Sequence, residues 1–138
     1  MKNLVLAICF FAFSGIFAQN AILSGLLVEF ETAIKWQAVD AKWKPRREAW
    51  IKEVKAANSP AAFGKLLAEF ETYVTWAAVE TTWEARRNAW VKECASASSI
   101  SSVAKLLVNF ESFTKWEGVQ DFWKTRREPW VNELNGIK

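Results

Sequence analysis

Apolar residues follow two rhythms along this chain. Between Leu4 and Phe13 they run almost without a break, as LVLAICFFAF. From residue 22 onward they recur at helical spacing, first as Leu23, Leu26, Leu27, Phe30 and Ile34 and 40 residues later as Phe63, Leu66, Leu67, Phe70 and Val74. Positions three and four apart share one face of a helix, so each set predicts an amphipathic helix, A. Trp43, Trp50, Ile51 and Val54, at steps of seven, eight and eleven from the first, predict a second helix, B.

This A–B unit occurs three times. Residues 22–57, 62–97 and 102–137 align at a 40-residue step without a gap. Their common frame is LL-x-x-F-E, then W-x-x-V-x-x-x-W, then R-R-x-x-W with a glutamate three positions further on. It absorbs all nine tryptophans: Trp36, Trp43, Trp50, Trp76, Trp83, Trp90, Trp116, Trp123 and Trp130. A hairpin of two amphipathic helices cannot bury its apolar face alone, so the units must cover one another. The expectation is an all-α domain over residues 19–138, with six helices in three hairpins stacked as a short solenoid or bundle. Since no polar capping repeat stands out, the first and last units are expected to leave apolar faces partly open, which suggests head-to-tail self-association.

Local signals refine the register. Ser59-Pro60 reads as an N-cap followed by proline at the first helical position. Pro45 requires helix B to begin just before it, and Pro129, where the other units carry Ala49 and Ala89, implies a late start or a kink in the last B helix. AANS at 56–59 and ASASS at 95–99 read as inter-repeat turns. On an ideal helix Trp36 lies roughly opposite the Leu26–Phe30–Ile34 stripe, so it is expected to pack on the A–B turn or a neighbouring repeat.

The leading segment MKNLVLAICFFAFSGIFA has one lysine, an apolar run too short to span a bilayer and a small residue at Ala18. It reads as a signal peptide over residues 1–18, with cleavage before Gln19 and a secreted or periplasmic product without a stable membrane span. Its loss removes one lysine and no acid, taking the net charge from +3 to +2. A near-neutral chain has no bulk electrostatic drive toward nucleic acid or anionic lipid.

Catalytic chemistry finds little to work with. The chain has no histidine, and of its two cysteines Cys9 leaves with the leader. Cys94 occupies the repeat position of Val54 and Leu134 and reads as a small buried hydrophobe. No glycine-rich phosphate loop, nucleophile motif or metal-binding constellation is present. A non-enzymatic protein without catalytic residues, cofactor or metal is the expectation.

The repeated arginine pairs are the remaining candidates. Arg47, Arg87 and Arg127 fall on the apolar stripe of helix B, where each stem would lie along the buried face and the guanidinium would stack on tryptophan. Each needs an anion, and Glu31, Glu71 and Glu111 are present in every A helix. The expected ion pairs are therefore Glu31–Arg47, Glu71–Arg87 and Glu111–Arg127, bidentate where geometry allows. Arg46, Arg86 and Arg126 are rotated by about 100° toward the rim and stay available for an anionic partner. Glu53, Glu93 and Glu133 are assigned to the rim or the next repeat.

The unit LL-x-x-F-E…W-x-x-V-x-x-x-W-x-x-R-R-x-x-W resembles the WSD, or WHIM-type (D-TOX E), helical motif of DDT-domain chromatin-remodelling subunits, such as the large subunit of the nucleosome-remodelling factor. On that resemblance Phe30-Glu31, Trp43, Arg47 and Trp50, with their counterparts at 70–71, 83, 87, 90 and 110–111, 123, 127, 130, are signature positions. The resemblance implies the helical unit; the chain has no room for a DDT domain, PHD finger or bromodomain, and its leader points away from a nucleus.

Three functional readings follow. The first is a helical-repeat binding or scaffolding protein with a protein partner or with itself. The second is a carrier of a small hydrophobic or aromatic ligand in a tryptophan-lined pocket. The third is an anion- or nucleic-acid-binding module built on Arg46, Arg86 and Arg126.

Overall fold

A computed structural model describes the backbone of residues 2–138 and the side-chain surroundings at position 15 and from 17 onward. Most of the segment assigned to the leader thus lies outside the described side chains. Among the described residues no helix is long and apolar enough to cross a membrane.

Among the described residues six α-helices form three hairpins: α1 (Lys2–Ala33) with α2 (Trp43–Ala56), α3 (Pro60–Tyr73) with α4 (Trp83–Ala95), and α5 (Ile100–Ser112) with α6 (Trp123–Asn135). Each pair is joined by a single-turn 3-10 segment, Trp36–Ala38, Trp76–Ala78 or Trp116–Gly118. The Ser59 side chain accepts from Ala62 N at 3.2 Å with Pro60 at the first helical position, and Ser99 and Ser102 cap each other reciprocally at the start of α5. Pro45 is the third residue of α2, where its missing N–H would be unpaired in any case. The last B helix does not start late: α6 begins at Trp123, in register with α2 and α4, and carries the exposed Pro129 inside it.

The hairpins close on themselves. Antiparallel bridges pair Val39 with Val74, Val79 with Thr114, and Val119 with Ile34. Two backbone hydrogen bonds flank each: Asp40 N to Tyr73 O at 2.7 Å and Thr75 N to Ala38 O at 2.8 Å at the first seam, Glu80 N to Phe113 O and Lys115 N to Ala78 O, both 2.8 Å, at the second, and Gln120 N to Ala33 O at 2.8 Å and Lys35 N to Gly118 O at 2.9 Å at the third. The third seam joins the last repeat to the first as the other two join neighbours. The architecture is therefore a closed ring of three hairpins with pseudo-threefold symmetry. This corrects the expectation of open terminal faces: the apolar face of each unit has a partner, and head-to-tail association loses its basis.

The seam is also built from side chains. Trp50 Nε1 donates to Leu66 O at 3.0 Å, Trp90 Nε1 to Leu106 O at 2.9 Å and Trp130 Nε1 to Leu26 O at 2.9 Å. Beneath them each B-helix tryptophan pair packs on the phenylalanine of the following repeat: Trp43 and Trp50 on Phe70, Trp83 and Trp90 on Phe110, Trp123 and Trp130 on Phe30, with centroids between 5.2 and 5.9 Å. All nine of these rings are fully buried. Phe30 meets Phe70 and Phe110 edge to face at 6.1 and 5.9 Å, an arrangement aromatic quadrupoles favour. The 3-10 turns converge where a Cβ on Gly118 would lie 3.1 Å from Ala78 Cβ and 3.6 Å from Ala38 Cβ.

Candidate functional site

Every hairpin carries the same polar cluster where helix A ends and helix B begins. Glu31, 4% exposed, accepts from Trp43 Nε1 at 2.9 Å and from Arg47 Nε at 2.7 Å, both on Oε2. Glu71 holds Trp83 Nε1 at 3.0 Å and Arg87 Nε at 2.9 and 2.8 Å, and Glu111 holds Trp123 Nε1 at 3.0 Å and Arg127 Nε at the same two distances. A buried carboxylate is costly without compensating donors, and here an indole and a guanidinium supply them. The A-to-B pairs anticipated from the sequence are thus brought together, but through Nε alone rather than as two-pronged forks. The glutamate's second partner, the tryptophan four residues before the arginine, is an addition that helical periodicity could not reveal.

Arg46, Arg86 and Arg126 are not available for an anion. Arg46 grips Glu69 of the next repeat with two prongs, Nε at 2.7 Å and Nη2 at 2.9 Å, and also reaches Glu53 of its own helix. Arg126 holds Glu29 across the closing seam at 2.7 and 2.9 Å and Glu133 at 3.1 and 2.9 Å. Arg86 donates to Asn109 Oδ1 at 2.9 Å and to Glu93 at 2.6 Å. The hydrogen bonds that Arg46 donates to Glu69 and Glu53 raise its pKa, those that Arg126 donates to Glu29 and Glu133 raise its own, and the bond accepted from Arg126 lowers the pKa of Glu133. The first arginine of each pair is therefore the inter-repeat clamp. The rim was the right location, but the partner is the neighbouring hairpin.

The third departure concerns tryptophan. α1 ends at Ala33, so Trp36 lies in the 3-10 turn, and extrapolating the helix to it misplaces the ring. Trp36, Trp76 and Trp116 are 54, 60 and 51% exposed, whereas the other six tryptophans are fully buried. The Arg47 guanidinium sits over the Trp36 ring, 6.0 Å from its centroid, not over the tryptophans of its own helix.

Each exposed indole forms one wall of a cleft. In the first repeat the cleft has a volume of about 220 Å³ and is lined by Glu31, Thr32, Trp36, Trp43, Arg47 and Gln120, among others. Its equivalents around Trp76 and Trp116 measure about 270 and 220 Å³. Gln120 enters the first cleft from the last repeat, a contribution that no feature of the sequence signals because it depends on ring closure. The clefts carry both carboxylate and guanidinium, so their charge is balanced.

Cys94 is fully buried, and burial, with the Glu71 and Glu93 charges adding, pushes its thiol up to about 12. Among the described residues no group of three or more histidine, cysteine or acidic side chains is arranged to hold a metal ion.

A family model described as a domain of unknown function, DUF8799, matches the chain twice, over residues 20–74 and 65–117. The first match runs from within α1 through α2 and α3, a hairpin together with the helix that seals it. No curated protein and no solved structure matches the chain. The similarity to the WSD-type motif remains one of residue pattern. The two matches together cover most of the chain, which belongs to the DUF8799 family.

Proposed function

We propose that the protein is an exported, non-catalytic binding protein that recognises its partner through the end of the ring carrying Trp36, Trp76 and Trp116. The observation behind this reading is the exposure of those indoles, at 51–60%, in a protein that buries its other six completely. Exposed tryptophan is expensive in water and is enriched among residues that dominate binding energy at interfaces. The turns that bear them are tied together by the bridges, so the three positions form a rigid, pre-organised display whose binding need not bear an ordering cost.

Export is supported by the leader and by a coincidence of register. Gln19 stands at the repeat position of Ser59 and Ser99, the residues that cap α3 and α5. Cleavage before Gln19 leaves a first helix that starts where the other two A helices start. The non-catalytic reading rests on the absence of histidine and on a mature chain whose one thiol burial keeps protonated.

The test has two arms. Intact mass and N-terminal sequencing of protein recovered outside the source cells should give a chain beginning at Gln19; a full-length or cell-retained product would overturn export. Wild type and the triple variant Trp36→Ala/Trp76→Ala/Trp116→Ala should then be used to capture partners from the same extracellular fraction. A species held by wild type and lost from an equally stable triple variant supports the reading, and undiminished capture by the variant refutes it.

A further inference from the structure

Resting on the reading that the tryptophan end is the recognition surface, the geometry points to a neutral sugar ring as the ligand of the first-repeat cleft, between Trp36, Glu31, Thr32, Arg47 and Gln120. Charge narrows the choice first. Glu31 and Arg47 neutralise each other at 2.7 Å, so neither a cation nor an anion gains a net Coulombic attraction. The cationic position over Trp36 is already held by the Arg47 guanidinium, which disfavours a quaternary ammonium there.

Polarity narrows it further. Glu31 Oε1 is buried and has no hydrogen-bond partner, while Oε2 serves both Trp43 and Arg47. A buried acceptor without a donor is destabilising, so a donor brought by a ligand relieves an existing penalty. In the second and third repeats both oxygens of the equivalent glutamate accept from arginine, so the first cleft is set apart from the other two. Gln120 adds an amide that can donate and accept, where the cleft around Trp116 instead has Glu80. Thr32 adds a hydroxyl.

Size and shape complete the description. At about 220 Å³ the cleft is smaller than the roughly 300–1,000 Å³ typical of sites for drug-sized ligands, so it suits one six-membered ring and not an acyl chain. A pyranose offers hydroxyls as donors to Glu31 and as acceptors for Arg47, and C–H groups to set against the part of the half-exposed Trp36 indole that Arg47 leaves open.

The experiment is saturation-transfer NMR and calorimetric titration of the purified protein with glucose, galactose, mannose and N-acetylglucosamine, alongside tetramethylammonium chloride and sodium phosphate. At least one of the sugars should bind saturably with a millimolar Kd, and Trp36→Ala and Gln120→Ala should each weaken it about tenfold while Trp76→Ala changes it less than about twofold. Both indoles and the Gln120 side chain lie outside the core, so these variants should fold, and unchanged melting curves verify this. Absence of saturation by all four sugars, binding that survives Trp36→Ala, or saturation by the ions alone overturns the proposal. If the sugars fail while the triple tryptophan variant still loses its captured partner, the sugar assignment falls and the recognition surface stands.

Discussion

Trp130 Nε1 donates to Leu26 O at 2.9 Å although the two residues lie 104 positions apart. The same bond links Trp50 to Leu66 and Trp90 to Leu106 over 16 positions, so a contact across 104 positions repeats the local ones. An open stack of hairpins would leave the last tryptophan at a free end.

Ring closure can therefore be tested by ranking three substitutions. Trp50→Phe, Trp90→Phe and Trp130→Phe each delete one seam hydrogen bond at a fully buried position, and each should cost about 1–2 kcal/mol from the lost bond and the small void. In a closed ring the three values, read from urea denaturation midpoints at unchanged m, fall close together. In an open stack Trp130→Phe would be nearly silent.

The two arginines of each pair predict unequal losses. Arg87→Ala leaves Glu71, 5% exposed, with the Trp83 indole as its remaining donor, and should destabilise by about 2–4 kcal/mol. Arg86→Ala removes contacts to Asn109 and to Glu93, whose side chain is 49% exposed, and should cost about 0–1 kcal/mol. Thermal melts of the two variants decide the matter, and the reverse ranking would mean that the roles assigned to the two arginines have been exchanged.

The Arg126–Glu133 pair gives a pH dependence whose sign is fixed. The folded-state pKa of Glu133 lies below its unfolded value, so its contribution is present above the ordinary glutamate range and is lost as pH falls through the lowered folded value. Urea midpoints of wild type and Glu133→Gln, measured from pH 7 downward, should differ at neutral pH and converge in acid. Because the side chain is half exposed, the gap should shrink with added salt.

How much of this could be read from the chain divides along one physical line. Helical periodicity placed Phe30, Trp43, Trp50 and Val54 in the core and located the break between helices, because burial of one helix face is written in steps of three and four. The Glu31–Arg47 pairing was legible for a similar reason, since a guanidinium on an apolar face demands an acid on the facing helix. Ring closure was not legible. Whether a third hairpin meets the first depends on the small rotation accumulated per repeat, and no single residue encodes it. The fate of Arg46 and the entry of Gln120 into the first cleft follow from closure and were hidden with it. Trp36 was misplaced for a local reason: the apolar period continues past Ala33, but the backbone turns extended at Lys35 and breaks into a 3-10 turn.

Gly64 lets α3 and α4 come into direct backbone contact. A Cβ at Gly64 in α3 would lie 2.1 Å from the carbonyl oxygen of Cys94 in α4, a backbone atom that cannot rotate aside. The equivalent positions in the other hairpins hold larger residues: Ser24, whose hydroxyl donates to Val54 O at 3.2 Å, and Ala104. The second hairpin is thus packed more tightly than its siblings at this point. Gly64→Ala should force α3 and α4 apart and cost about 1–3 kcal/mol despite alanine's better helix propensity, whereas Ala104→Gly should cost only about 1 kcal/mol, mainly through helix propensity. Cys94 reports the same motion. With its thiol held near pKa 12 and fully buried, it should resist a disulfide reagent at pH 8 in native wild type and react in Gly64→Ala at a rate that follows the loss of stability. Rapid labelling of wild type without denaturant would show that the α3–α4 contact is not closed as described.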